Sequence, residues 1–142
     1  MENSIFIGID FGLRRIGLAK SDPTGLIASA YKTLTYKSIK KAVDEIVEDI
    51  GELKASGVVV GYPISIIDGG DMGERCRMVD DFISRLEKQY DGPIYKMDER
   101  YSSVEAEAII HRHFKKIGKD KGRVDRMAAA IILQRFLDDS GK

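Results

Sequence analysis

The sequence has little cysteine and no segment that would carry it to or across a membrane. Cys76 is the only cysteine among 142 residues, so an intrachain disulfide framework is excluded and a reducing compartment is expected. The amino terminus has no basic segment followed by an apolar stretch, and no apolar run approaches the length of a membrane span. We therefore expect a cytoplasmic protein without a membrane partner.

An excess of charge of either sign is also missing. The chain has 23 Lys and Arg residues and 23 Asp and Glu residues, so its net charge gives no argument for nucleic acid. The length of 142 residues predicts a single domain over residues 1–142. A domain of this size buries roughly 68–70% of its unfolded surface, so it does not need a structural zinc for stability.

Charge is nevertheless uneven along the chain. Between His111 and Arg126 there are seven basic residues, which only Asp120 and Asp125 oppose. Such a segment is either a solvated helix face or loop, or a strip that binds phosphates. The seven basic residues are Arg112, Lys115, Lys116, Lys119, Lys121, Arg123 and Arg126.

The pattern of apolar residues predicts an α/β fold. Short apolar runs bounded by turn signals predict strands at residues 4–10, 16–21, 26–34, 58–61 and 93–97. Helical spacing and capping residues predict a helix from residue 39 that stops at Gly57, one capped by Asp71, one from Ser102, and a last one over residues 124–137.

The order of these elements narrows the fold. Short turns join the first three strands into an antiparallel meander, and two strand–helix–strand units then add parallel strands. This is the order of a ribonuclease H-like fold, in which helices flank a mixed five-stranded sheet.

Asp10 is the most informative residue. It ends the apolar run of residues 5–9, and Gly12 and Gly17 follow it. A buried strand that stops on a carboxylate places a negative charge at the carboxyl edge of the sheet, where open α/β sheets bind ligands. Burying such a charge costs free energy unless a positively charged group or ion lies against it.

Two further acidic positions are predicted at the same edge. Asp98 and Glu99 directly follow the fifth strand, and Asp125 is in the first turn of the predicted last helix. Asp125 shares a face with three apolar residues, so we expect it to point at the sheet. The alternative is a carboxylate that only favours a helix amino terminus. The apolar residues of that face are Ala129, Ile132 and Phe136.

Carboxylates that converge on one edge need a cation or a proton between them. A pair ~4 Å apart costs about 4 kcal/mol at an effective dielectric of 20. Oxygen ligands without His or Cys suit Mg²⁺ or Mn²⁺, and such a site can drive an in-line phosphodiester displacement. We predict Asp10, Asp98 and Asp125 as metal ligands. Glu99 joins the catalytic set because neighbouring strand residues face opposite ways, which leaves Asp98 and Glu99 as alternatives.

Four segments carry a more specific signal. They are Gly8-Ile9-Asp10-Phe11-Gly12 with Arg15-Ile16-Gly17-Leu18-Ala19; Val60-Gly61-Tyr62-Pro63 with Asp68-Gly69; Asp98-Glu99-Arg100-Tyr101-Ser102; and Lys121-Gly122-Arg123-Val124-Asp125 with Ala128-Ala129 and Ile132-Leu133-Gln134. In this order they resemble the YqgF/RuvX family, which is described as pre-16S ribosomal RNA nucleases and as Holliday junction resolvase-like proteins. Tyr62 and Ser102 stand where the family often has leucine and threonine, and neither change removes a carboxylate.

The resemblance implies a ribonuclease H-like fold and a divalent-metal nuclease site at Asp10, at Asp98 or Glu99, and at Asp125. It implies a nucleic-acid partner, either pre-ribosomal RNA cleaved near its 5′ end or branched DNA. A resolvase of branched DNA would need two active sites related by a two-fold axis, hence a homodimer.

Basic residues near these carboxylates are candidates for substrate binding. A guanidinium group pairs bidentately with phosphate, so Arg15 and Arg100 are predicted phosphate anchors. The alternative for both is a structural ion pair with the same carboxylates. Lys121 and Arg123 are predicted substrate contacts, and the alternative for them is a solvated loop.

Two other functions compete with the nuclease. Nucleotide phosphotransferases of the actin-like and sugar-kinase-like class also begin with a motif like Asp10-Phe11-Gly12, but they close two such domains around the nucleotide, and this chain has the length of one. A non-catalytic nucleic-acid-binding or ribosome-assembly module is the third possibility. Metal-dependent cleavage separates it from the nuclease.

Overall fold

The structure is a computed structural model that describes residues 4–12, 14–62, 72–98 and 121–140. The strands in these ranges are β1 Phe6–Phe11, β2 Arg15–Ser21, β3 Ala28–Thr35, β4 Gly57–Tyr62 and β5 Ile94–Asp98. The helices are α1 Ile39–Leu53, α2 Met72–Glu87 and α3 Lys121–Ser140. The predicted cap Asp71, the helix from Ser102, and the basic segment up to Asp120 lie outside the described residues.

The five strands form one mixed sheet in the order β3-β2-β1-β4-β5. β1 pairs antiparallel with β2, and β2 pairs antiparallel with β3. β4 pairs parallel with both β1 and β5, because α1 and α2 return the chain to the same end of the sheet. The predicted meander followed by two parallel strands is confirmed.

Helices cover both faces of the sheet. On one face, α1 and α2 pack on a cluster that includes Ile7, Ile9 and Phe11 of β1. On the other face, α3 packs on a second cluster through its own Ala129, Ile132 and Leu133 and a few strand residues. Because side chains alternate along a strand, Gly8 and Asp10 face α3. The face of the sheet that carries Asp10 is therefore the face that α3 covers.

The boundaries of some elements differ from prediction. The third strand begins at Ala28, because Leu26 and Ile27 lie in the preceding turn and are 66% and 61% exposed. Their backbone N–H groups donate to Asp22 Oδ1 at 2.9 and 2.8 Å, which closes the turn early. β1 continues one residue past Asp10.

The prediction that Gly57 ends the first helix is also wrong. The cap is Lys54, which adopts the left-handed conformation at φ 54°. Gly57 instead opens β4, where a Cβ atom would lie 2.8 Å from Cε1 of Phe6. Glycine is needed at this position because the backbone packs closely on the Phe6 ring, and it does not end a helix.

No helix in the part of the chain that the structure describes is long and apolar enough to cross a membrane.

Candidate active site

Asp10 lies near the carboxyl end of β1 and on the α3 side of the sheet. Its neighbours Ile9 and Phe11 point into the opposite cluster, so alternation turns Asp10 toward α3. Gly8 confirms the direction, since a Cβ atom there would lie 2.7 Å from Cβ of Leu133 on that helix. The Asp10 side chain is half-buried at this edge.

Asp125 is brought to the same place by packing of α3 on β2. Gly17 is the cross-strand partner of Asp10. A Cβ atom at Gly17 would overlap the backbone carbonyl of Asp125, so the α3 backbone rests directly on this strand. Directly opposed residues of an antiparallel pair face the same way. Asp10 and Asp125 therefore occupy neighbouring positions on one face of the sheet.

The position of Asp125 within its helix differs from prediction. α3 begins at Lys121 rather than at residue 124, so Asp125 is in the second turn and no acidic residue is in the first. A helix-terminus role therefore does not explain this carboxylate. Ala129 and Ile132, which share its face, are fully buried against the sheet.

Arg15 supplies a positive charge to this edge. Its Nε donates to Oδ2 of Asp125 at 2.6 Å, in an ion pair whose side chains are 33% and 18% exposed. Arg15 is the first residue of β2, two positions before Gly17, and so it meets the helix where Asp125 crosses the strand. Of the two roles predicted for Arg15, the ion pair with a site carboxylate is present.

A cleft of about 400 Å³ opens beside the ion pair. It is lined by Gly12, Arg14, Arg15, Arg75 and Asp125. Sequence reasoning assigned no role to Arg14 or Arg75. Helical spacing could have identified Arg75. It lies one turn before Met78 and Val79, on the apolar face of α2 that packs on the sheet.

The third predicted carboxylate lies at the limit of the described residues. β5 runs up to Asp98, whose backbone is in register with Tyr62, while Met97 packs on the α3-side cluster. Glu99 and Arg100 lie outside the described residues. Within residues 4–12, 14–62, 72–98 and 121–140, no group of three or more His, Cys, Asp or Glu side chains could hold a metal ion.

The amino end of α3 is fixed to the edge strand β3. The Thr33 hydroxyl donates to the carbonyl of Gly122 at 2.8 Å, and Nη1 of Arg126 donates to Thr33 Oγ1 at 3.1 Å. Arg126, which belongs to the basic segment, thus helps to fix α3 on β3. Lys121 is the first residue of α3, and Arg123 is half-buried on the same helix, so both predicted substrate contacts lie within the turn that precedes Asp125.

Contacts among three polar side chains fix the end of β4 on the α2 side of the sheet. The Tyr62 hydroxyl donates to Oδ2 of Asp80 at 2.9 Å, and Lys96 Nζ donates to Oδ1 of the same carboxylate at 3.3 Å. Lys96 Nζ also lies 4.6 Å from the centre of the Tyr62 ring. Desolvation, with hydrogen bonds to Asp80 and Cys76, raises the pKa of Tyr62 to about 12. Tyr62 therefore remains a neutral hydrogen-bond donor at neutral pH.

Comparison with known proteins identifies relatives over nearly the whole chain. A protein of Rippkaea orientalis is 38% identical over 138 residues, which cover 97% of this chain and 98% of the relative. A protein of Ruminiclostridium cellulolyticum is 39% identical over 133 residues, with 93% and 92% covered. The names of both describe them as pre-16S rRNA nucleases.

Solved structures of low sequence identity share the fold. T. thermophilus RuvC in complex with a Holliday junction has a TM-score of 0.60 at 14% identity, with 97% of this chain and 96% of that chain covered. The Fowlpox virus resolvase in complex with junction DNA has a TM-score of 0.57 at 12% identity, with 97% and 99% covered. These likenesses support the ribonuclease H-like architecture.

The family model described as RuvX, Holliday junction resolvase, matches residues 4–139. The match includes Asp10 and Asp125. It also includes Arg15, which contacts Asp125, and Gly17, on which α3 rests. The chain belongs to the RuvX family.

Proposed function

We propose that this chain is a divalent-metal-dependent nuclease that acts on pre-16S ribosomal RNA near its 5′ end. The observation that carries the proposal is the placement of Asp10 and Asp125 on one face of the sheet edge, beside a cleft lined by arginines. Family membership and the names of relatives at 38–39% identity support both the chemistry and the substrate.

The donor set fits a hard divalent cation. Asp10 and Asp125 offer only carboxylate oxygens, and oxygen ligands suit Mg²⁺ or Mn²⁺. The Asp125 side chain keeps 18% exposure, so it is accessible from the cleft. Asp10 and Asp125 would hold such a cation, which would lower the pKa of a bound water and offset charge on the departing oxygen.

The residues of the chain have separate tasks in this mechanism. Asp10 and Asp125 would hold the metal, with Asp98 or Glu99 as the third ligand. Arg15 orients Asp125 through its Nε contact. Arg15 also lines the cleft, where its guanidinium donors offset the charge of the scissile phosphodiester and position it for in-line attack.

The test uses purified protein, Mg²⁺ or Mn²⁺, and two substrates: a pre-16S ribosomal RNA fragment that spans the 5′ cleavage region, and a four-way DNA junction. We expect metal-dependent cleavage of the RNA, and Asp10→Asn should lower the rate by at least about a hundredfold. Glu48→Gln is the matched control, because Glu48 is an exposed carboxylate on α1, on the far side of the sheet. Full activity of Asp10→Asn would contradict the mechanism.

Cleavage of branched DNA is the second candidate, and the description of the matching family model favours it. It requires a homodimer with two active sites related by a two-fold axis. Symmetrical cuts in the four-way junction, together with a dimeric mass in solution, would support this function over RNA processing. Specific binding of RNA without cleavage under any metal condition would instead support a non-catalytic assembly module.

A further inference from the structure

We propose that Arg14 and Arg75 form a second phosphate subsite, which binds a backbone phosphate adjacent to the one that is cleaved. The inference rests on the proposed nuclease function and extends it to residues outside the carboxylate set. Both arginines line the cleft of about 400 Å³ that also contains Asp125. A volume of this size lies within the range of small-ligand sites and is sufficient for a sugar and its phosphate.

The two arginines reach the cleft from different elements. Arg14 lies between β1 and β2 and is exposed, whereas Arg75 is in the first turn of α2 and is half-buried. α2 covers the face opposite α3, so Arg75 approaches the sheet edge from the side away from Asp125. A nucleic-acid strand that crosses this edge would meet the carboxylates and this arginine pair at different phosphates.

The stem of Arg75 has an apolar support. Arg75 borders a small cavity whose other walls are Phe11, Gly12, Met78 and Val79. Apolar walls beside the Arg75 side chain restrict its freedom before substrate binds. An arginine held in this way loses less entropy on forming a bidentate contact.

The ligand that fits this pair is a phosphodiester anion. Two guanidinium groups in one cleft match the non-bridging oxygens of a backbone phosphate. Arg15, the third arginine of the cleft, already contacts Asp125, so it belongs to the reaction centre. A phosphate held by Arg14 and Arg75 elsewhere in the same cleft would set the register of the strand relative to that centre.

The first test measures binding of a single-stranded pre-16S leader oligonucleotide at several salt concentrations, without divalent metal, by fluorescence anisotropy. Loss of one phosphate contact reduces the slope of log K against log[salt] by about 0.7. We expect this reduction for the double variant Arg14→Gln/Arg75→Gln. The control Arg77→Gln/Arg85→Gln removes two exposed charges from α2 outside the cleft and should leave the slope almost unchanged.

The second test locates the phosphate. Neutral methylphosphonate linkages are placed one at a time along the oligonucleotide. In the wild type, one position next to the scissile phosphate should weaken binding, and in Arg14→Gln/Arg75→Gln that position should no longer matter. Arg14→Lys/Arg75→Lys should restore the salt slope, because it restores the charges. An unchanged slope and an unchanged methylphosphonate pattern in the glutamine variant would overturn the subsite.

These outcomes are independent of catalysis. A wild-type protein that cleaves neither substrate would contradict the proposed nuclease, while the position-specific loss in the glutamine variant would still support the subsite. Active enzyme with no such loss would contradict the subsite and leave the nuclease intact.

Discussion

At the residue scale, Arg15 connects metal binding and substrate binding. A guanidinium group has five N–H donors, and the Nε contact with Asp125 uses one of them. The same side chain can therefore orient Asp125 and contact a phosphate. The two roles that the sequence left as alternatives are therefore compatible, since Arg15 contacts Asp125 through Nε and also lines the cleft.

The third metal ligand can be chosen by strand alternation. Met97 packs on the α3-side cluster, and residues two apart on a strand share a face, so we predict Glu99 rather than Asp98 as the ligand that accompanies Asp10. β5 is two strands from β1, roughly 10 Å away, so the longer glutamate is also better suited to reach a shared ion. We predict that Glu99→Gln reduces metal-dependent cleavage at least about a hundredfold.

Asp98→Asn is the matched variant for that measurement and should retain most of the activity. Cleavage rates for the two variants at saturating Mg²⁺ decide between them. The reverse order of effects would assign the ligand to Asp98.

Asp22 predicts a pH dependence of stability far from the active site. Hydrogen bonds from the Thr24 hydroxyl and from the backbone of Ile27, Leu26 and Thr24 lower the pKa of Asp22 below its ordinary value of 3.8. A lowered folded-state pKa contributes stability above pH 3.8 and loses it as the pH falls through the folded-state value. The free energy of unfolding of Asp22→Asn should therefore be below wild type at pH 7, with a smaller difference near pH 3. Urea titration at both pH values measures this, and a difference that grows in acid would refute the assignment.

At the element scale, the contact between α3 and β2 positions the active site. A Cβ atom at Gly17 would overlap the Asp125 carbonyl, so Gly17→Ala must push the helix away from the sheet. We predict a loss of about 1–3 kcal/mol in the free energy of unfolding and a marked loss of cleavage. Gly51→Ala is the control, because nothing lies within 4 Å of a Cβ atom there. That helix substitution should stabilise by about 0.5–1 kcal/mol.

Both variants are measured by urea unfolding and by cleavage of the same RNA. A Gly17→Ala protein with wild-type stability and activity would show that the helix does not rest on this glycine.

The sequence predicts elements better than it predicts their ends or contacts. β1 and β4 were evident because they are short apolar runs, and the burial of Ala129 and Ile132 followed from helical spacing. The turn at Leu26 and Ile27 was missed because apolar residue types alone do not reveal that Asp22 binds their backbone. Lys54 was missed because a non-glycine residue in the left-handed conformation has no sequence signal.

In the candidate site, too, the positions of some residues can be predicted from the sequence, whereas their contacts cannot. Asp10 and Asp125 were predicted because their positions along a strand and a helix fix their direction. The partner of Arg15 is 110 positions away, and only the packed fold decides that distance. Arg14 and Arg75 are two among 23 basic residues, and their shared cleft appears only when α2 is placed on the sheet.

At the scale of the whole molecule, metal binding and stability are linked. Carboxylates held on one face repel, and a cation that binds only the folded protein stabilises it. We predict that Mg²⁺ at ten times its Kd adds about 1.4 kcal/mol to the free energy of unfolding, a rise of a few degrees in Tm. Asp10→Asn should abolish the rise. Calorimetry with and without Mg²⁺ tests this, and an equal metal effect on both proteins would exclude Asp10 as a ligand.

The packing of α3 on the sheet has a consequence for biosynthesis. Among the described elements α3 comes last in the chain, yet it carries Asp125 and covers the face that holds Asp10. A nascent chain on the ribosome has its sheet strands long before this helix emerges. A chain that stops before α3 lacks Asp125 and the helix that covers Asp10, so we expect it to have no nuclease activity.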